Sequence, residues 1–144
     1  KQILDLGCGV GITGLVAKQI GGEVTITDYQ EDALRLSELN WLMNTKISPE
    51  AFLMDWRNPE PDKKYDVILA SDVVYEKRFF QALVRLFEQY LAPAGTILLS
   101  EPNRTIAGEF FVLLQKCNFT YEKYDRHIIF RDKGYDIGVY VISQ

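Results

Sequence analysis

The stretch "ILDLGCGVGITG", residues 3–14, places four glycines and one aspartate where a buried strand runs into a helix. A glycine-rich turn at that junction lets a ligand approach the backbone closely, and the helix start offers free N–H groups. The dinucleotide fingerprint G-x-G-x-x-G would put its third glycine at residue 12, which is Ile12. The glycines fall instead at 7, 9, 11 and 14, and Asp5 two residues before the first is foreign to that fingerprint. This spacing argues against a hydride-transfer enzyme.

Working outward, short apolar runs alternate with helical patterns. Strands are expected at 2–7, 23–28, 51–56, 65–72 and 96–102, and helices at 11–21, 31–44, 78–91 and 106–117. In the first helix the apolar stripe is Ile12, Leu15, Val16 and Ile20; in the third it is Phe79, Leu83, Leu86, Phe87 and Tyr90. Pro59 and Pro61 mark a loop, and "APAG" after residue 91 is a helix stop. The tail is β-rich, with "DKG" (132–134) joining two strands as a hairpin. The fold class is therefore α/β, a doubly wound and mostly parallel sheet closed by a C-terminal antiparallel hairpin. Ligands of such sheets bind at the carboxyl ends of the strands. That rule selects Asp28, Asp55, Trp56, Ser71, Asp72 and Glu101 as rim residues.

Bulk properties narrow the classes. At 144 residues, 47% hydrophobic and 25% charged, the chain reads as one ordinary globular domain spanning 1–144. It begins at Lys1 with the first strand already under way, so a preceding segment of a longer protein is expected. The formal net charge of −4 argues against a nucleic-acid partner. No apolar run reaches the length of a membrane span, and no signal peptide opens the sequence. Two cysteines, Cys8 and Cys117, with no framework of spaced pairs, point to a reducing, cytoplasmic setting without a disulfide. No cluster of His, Cys and carboxylates has metal-ligand spacing, so no metal is expected. His127, the one histidine, lies in the hairpin and reads as structural.

"LDLGCGVG" (4–11) resembles the first motif of class I, seven-strand S-adenosylmethionine-dependent methyltransferases, and the resemblance runs in order along the chain. "TITDY" (25–29) puts Asp28 where that fold's acid accepts the two ribose hydroxyls, with Tyr29 flanking the adenine. "LMDW" (53–56) puts Asp55 and Trp56 where the fold contacts adenine. "ASDVVYE" (70–76) closes the fourth strand, with Ser71 as a lining residue. The resemblance implies S-adenosyl-L-methionine as cofactor, held by Asp5, Gly7, Cys8, Gly9, Gly11, Asp28, Tyr29, Asp55, Trp56 and Ser71.

Within that superfamily, Asp72-Val73-Val74-Tyr75 is similar to the D-x-x-Y motif of methyltransferase family 16, the protein-lysine methyltransferase group. It is also similar to bacterial relatives described as predicted nicotinamide N-methyltransferases. The resemblance implies that Asp72 and Tyr75 orient a nitrogen nucleophile, and that the acceptor is a protein lysine. A small amine or pyridine acceptor is the alternative, and a non-catalytic cofactor-binding module is the third reading. A nucleic-acid base methyltransferase fits less well, because "SDVVY" lacks the paired prolines of that group's fourth-strand motif. Glu76, Glu101 and Arg104 are expected on rim loops, where they are within reach of substrate but read first as solvated charges.

Overall fold

The computed structural model describes residues 1–59 and 63–144; the loop proline Pro61 lies outside the described residues. Strands β1 (Gln2–Leu6), β2 (Glu23–Asp28), β3 (Glu50–Leu53), β4 (Tyr65–Ser71), β5 (Leu91–Glu101), β6 (Thr120–Phe130) and β7 (Lys133–Ser143) form one sheet. Helices α1 (Ile12–Gln19), α2 (Glu31–Thr45), α3 (Phe80–Tyr90) and α4 (Ala107–Lys116) complete the chain, with a 3-10 turn at Lys77–Phe79 before α3. The strand order is β3-β2-β1-β4-β5-β7-β6. β1 through β5 are parallel, and β7 runs antiparallel to both β5 and β6. The order reverses between β1 and β4, and ligand crevices of open α/β sheets lie at such a switch point.

The two faces of the sheet bury separate cores, because successive residues of a strand point to opposite sides. Leu4 and Leu6 of β1 join Ile68, Leu83, Phe87, Phe110 and Phe119 under α3 and α4. Ile3 joins Ala17, Ile26, Leu34, Trp41 and Leu69 under α1 and α2. The third helix buries the face expected of it, Leu83, Leu86, Phe87 and Tyr90, and stops at Tyr90 ahead of the "APAG" segment.

The first helix does not bury the expected stripe. Ile12, Val16 and Ile20 are 64%, 54% and 83% exposed, and the buried positions are Gly14 and Ala17. Close approach is the reason. A Cβ on Gly14 would stand 2.8 Å from Asp5 Oδ2, 3.1 Å from Ile26 and 3.2 Å from Trp41. Only the small-residue face lets α1 sit this low on β1 and β2.

Two boundaries also move. The hairpin turn is Arg131-Asp132, both at positive φ (48° and 60°), while Lys133 and Gly134 already belong to β7. Two consecutive positive-φ residues supply the twist that a two-residue hairpin needs. β3 ends at Leu53, so Asp55 and Trp56 lie in the turn after the strand rather than in it.

Candidate active site

The glycine turn is held by two carboxylates, Asp5 and Asp28. Gly7, Gly9 and Gly11 all take positive φ (66°, 55° and 80°), a conformation that side chains other than glycine's adopt at a cost. Asp5, 1% exposed, accepts hydrogen bonds from the Gly14 N–H (2.7 Å) and Thr13 Oγ1 (3.2 Å), so its carboxylate ties the end of β1 to the first turn of α1. Asp28 Oδ2 accepts from the Gly9 N–H at 2.9 Å, and Oδ1 accepts from the Gln30 N–H at 2.8 Å. One carboxylate thus braces the turn from beneath and the other from the neighbouring strand end.

Burial pushes the Asp5 carboxyl up to about 6, against the lowering effect of its two hydrogen-bond donors. The unfolded chain ionises this group near 3.8, so the folded chain holds the extra proton between the two values. The associated stability is complete below the unfolded value and is lost as pH rises through about 6. Asp5→Asn keeps an acceptor for Gly14 and removes the titration. Chemical denaturation from pH 4 to 7 is expected to show the wild type losing up to about 3 kcal/mol relative to that variant. Parallel pH curves for the two proteins contradict the assignment.

Cys8, expected from sequence among the ligand contacts, turns its side chain inward. Its N–H donates to Thr27 O (2.8 Å), its carbonyl accepts from Gly11 N (2.8 Å), and its thiol lies buried against Ser37 Oγ (3.5 Å). Burial pushes the thiol up to about 12, so it stays protonated. Cys8 shapes the turn and packs under α2. Cys117 is likewise a free thiol, half-buried at the end of α4.

Above the turn lie two adjoining cavities. One, of about 200 Å³, is lined by Gly7, Asp28, Ser71, Asp72 and Tyr75 among others. The second, of about 210 Å³, is lined by Asp55, Arg57, Arg78 and Phe79. Tyr29, Trp56 and Tyr75 border both and join them into one cleft. Residues from the ends of β1, β2 and β4, and from the turn after β3, therefore meet around one space. Among the described residues no heavy atom beyond its chain neighbours comes within 4 Å of where a Gly9 Cβ would be, so the turn is open on that side.

The aromatic wall is packed edge to face. Trp56 meets Phe79 at 5.7 Å between ring centroids and Tyr75 at 6.3 Å. A Cβ on Gly7 would come within 3.1 Å of the Trp56 ring, so that glycine makes room for the indole. Trp56 Nε1 is buried and has no hydrogen-bond partner among the described residues. Asp55 stands on the cleft wall with its carboxylate paired to Arg57, accepting from Nη2 at 2.6 Å and Nε at 2.8 Å. That pairing holds the Asp55 carboxyl below its ordinary range. The Arg57 guanidinium also stands 5.9 Å over the Tyr29 ring.

The D-x-x-Y segment takes its shape from its two valines. Val73 and Val74 are buried in the core beneath α3, which throws Asp72 and Tyr75 outward. Asp72 sits at φ 58°, in the left-handed region, where the chain leaves β4, and its N–H bonds Ser100 O (2.8 Å). It caps no helix. Its carboxylate forms a forked ion pair with both terminal nitrogens of Arg104. Burial, and then the nearby carboxylates of Glu76 and Asp28, push the Tyr75 phenol up, so it remains a neutral hydroxyl.

Arg104 and Glu101, read from sequence as solvated charges, are neither. Glu101 is buried, accepts from the Arg104 N–H (2.9 Å) and from Tyr140 Oη (3.4 Å), and so fixes the loop that aims Arg104 at Asp72. Arg57 and Arg78 were likewise missed; the adjacency of Arg57 to "LMDW" was the available signal for the first. Glu76 pairs with Arg78. His127 contacts Asp136 (2.7 Å) on the hairpin, far along the chain from the turn. Among the described residues no group of three His, Cys, Asp or Glu side chains is placed to hold a metal ion, and no helix is long and apolar enough to cross a membrane.

The chain is 28% identical to the protein N-lysine methyltransferase METTL21A of Danio rerio over 158 residues, covering 97% of this chain and 65% of that protein. It is 26% identical to the EEF1A lysine methyltransferase 3 of Xenopus tropicalis, covering all of this chain and 64% of that one. The chain thus spans just under two thirds of the length of these relatives. Its fold is similar to that of a SAM-dependent methyltransferase from Methanosarcina mazei, with a TM-score of 0.78, 17% identity, and 98% and 90% of the two chains covered. The sequence pattern of the family described as lysine methyltransferase matches residues 1–117. The chain belongs to the lysine methyltransferase family.

Proposed function

We propose that this chain carries the S-adenosylmethionine site and the acceptor site of a protein-lysine N-methyltransferase. The observation that carries the reading is the single cleft wall on which Gly7 and Asp28 stand beside Asp72 and Tyr75. The residues present fit the cofactor. A glycine turn open at Gly9, a carboxylate at the end of β2, an aromatic wall and an indole N–H unpaired among the described residues suit a sugar, a base and an amino-acid tail. When bound, the cofactor supplies a methyl group on a sulfonium, already activated for displacement.

The protein's part is to position and desolvate a neutral amine. Asp28 keeps a lone pair on each oxygen beyond those facing Gly9 and Gln30, enough to accept from two vicinal hydroxyls. Tyr29 and Trp56 flank the base. Asp72 accepts from the acceptor Nζ, replacing Arg104 as its partner, and the neutral Tyr75 hydroxyl fixes the direction of the lone pair. The acceptor assignment follows the names of the relatives, which are protein-lysine enzymes.

The test is transfer of tritiated methyl from S-adenosylmethionine to a whole-cell extract, preceded by calorimetry with the cofactor. A labelled protein band, with label on lysine after hydrolysis, is the expected result. Label confined to the small-molecule fraction moves the acceptor to an amine or pyridine. Binding with no labelled acceptor of either kind makes the chain a cofactor-binding module.

A further inference from the structure

β7 pairs with β5 only from Ile142 to Gly138, opposite Ile97 to Glu101. The β6–β7 hairpin continues beyond that point through the pairs from Arg126↔Ile137 to Phe130↔Lys133, past the last residue of β5. At a rise of about 3.4 Å per residue these pairs carry the hairpin roughly 17 Å beyond the sheet. Because β7 is antiparallel to β5, the overhang projects from the carboxyl edge, the edge that holds Asp28, Ser71 and Asp72.

Its base is tied to the site. Asn103 Nδ2 donates to Asp136 O at 3.1 Å, and Tyr140 Oη reaches Glu101, whose other oxygen holds Arg104 against Asp72. Paired residues of an antiparallel ladder share a face. Ile128, Tyr135, Phe130 and Lys133 therefore lie on one face with Arg126, while Asp125 and the His127–Asp136 contact lie on the other. On the first of these faces Ile128, Phe130 and Tyr135 are 45%, 59% and 45% exposed. A two-stranded ribbon is marginal in water, and an exposed apolar patch on one is a mark of a partner. Apolar side chains interleaved with Arg126 and Lys133 complement a protein surface that is apolar and edged with carboxylates.

We propose that the overhang from residue 126 to 137 is a docking arm for the acceptor protein, gripping an apolar, acid-edged surface beside the lysine to be methylated. This rests on the protein-lysine reading above. A small amine held in the cleft does not reach along an overhang roughly 17 Å long, whereas a folded acceptor spans both.

The experiment uses the full chain carrying Ile128→Ser, Phe130→Ser and Tyr135→Ser, with Arg126→Glu/Lys133→Glu as a second variant should the first not fold. Circular dichroism and calorimetry with S-adenosylmethionine check that fold and cofactor affinity are kept. Tritiated methyl transfer is then measured on the extract's intact soluble proteins and on the same proteins after Glu-C digestion. The expected result is transfer to the intact acceptor slowed about tenfold or more, through KM, with transfer to the digest unchanged. Equal labelling of intact protein by wild type and variant overturns the arm and leaves the enzymatic reading standing. No labelled protein with the wild type overturns both. Arm-dependent dimerisation in light scattering, or arm-dependent sedimentation with phosphatidylserine vesicles, gives the arm a different occupant and also overturns the proposal.

Discussion

Asp72→Asn is expected to slow methyl transfer about 100-fold or more at saturating cofactor, with S-adenosylmethionine affinity within about threefold of wild type. The substitution isolates the chemistry. Asparagine tolerates the left-handed φ of 58° that position 72 requires, so the backbone turn out of β4 survives. It keeps one acceptor oxygen but loses the charge that Arg104 pairs with and that an incoming ammonium would meet. Tyr75→Phe is the companion: the ring keeps its contacts with Trp56 and Phe79 and only the hydroxyl goes. Steady-state kinetics with the acceptor, set beside calorimetry with the cofactor, reads both. Equal losses of turnover and cofactor affinity would make the pair structural. A pH–rate profile of the Asn variant separates two roles for Asp72. An unchanged shape at lower amplitude means the carboxylate only orients the amine; loss of the acidic limb means it takes the proton.

Much of this site was legible in the sequence because its residues are set by local rules. The glycine spacing, an acid at the end of each of two strands and the D-x-x-Y segment are short-range patterns, and the strand-end rule brings them to one edge whatever the packing. What was not legible depends on contacts distant in the chain. The ion pair between Asp72 and Arg104 joins residues 32 positions apart, and nothing local to "EPNRT" (101–105) announces that Glu101 is buried to support it. The stripe of Ile12, Val16 and Ile20 misled because periodicity counts apolar residues, whereas here helix-to-sheet distance decides. Gly14 and Ala17 win the inner face by being small. The motif places Cys8 in the turn but does not announce that its side chain packs into the core under Ser37. In each case the competing force was a close approach that only the assembled sheet creates.

Asp28→Ala is expected to weaken S-adenosylmethionine binding by about 1.5–3 kcal/mol, the loss that follows removal of a charged hydrogen-bond partner. That corresponds to roughly 10- to 150-fold in Kd. The structure adds a second consequence. Both oxygens of Asp28 already receive backbone N–H groups, Gly9 at 2.9 Å and Gln30 at 2.8 Å, so alanine also releases the glycine turn and the entry to α2. The two effects separate by measuring the chain with and without cofactor. Release of the turn lowers the Tm of the free chain. Loss of the ribose contact shrinks the further rise in Tm that saturating cofactor gives, because that rise scales with RT ln(1 + [L]/Kd). Asp28→Asn sharpens the separation: its single carbonyl oxygen serves one of the two N–H groups, and its amide donates where a diol also donates. Its free-chain Tm is expected between wild type and alanine, with cofactor affinity close to that of alanine. If alanine lowers the Tm of the free chain but leaves cofactor affinity untouched, Asp28 braces the turn and the ribose lies elsewhere. If both fall, one carboxylate holds the turn in shape and presents its remaining lone pairs to the ligand, and the acid at the end of β2 is selected twice over.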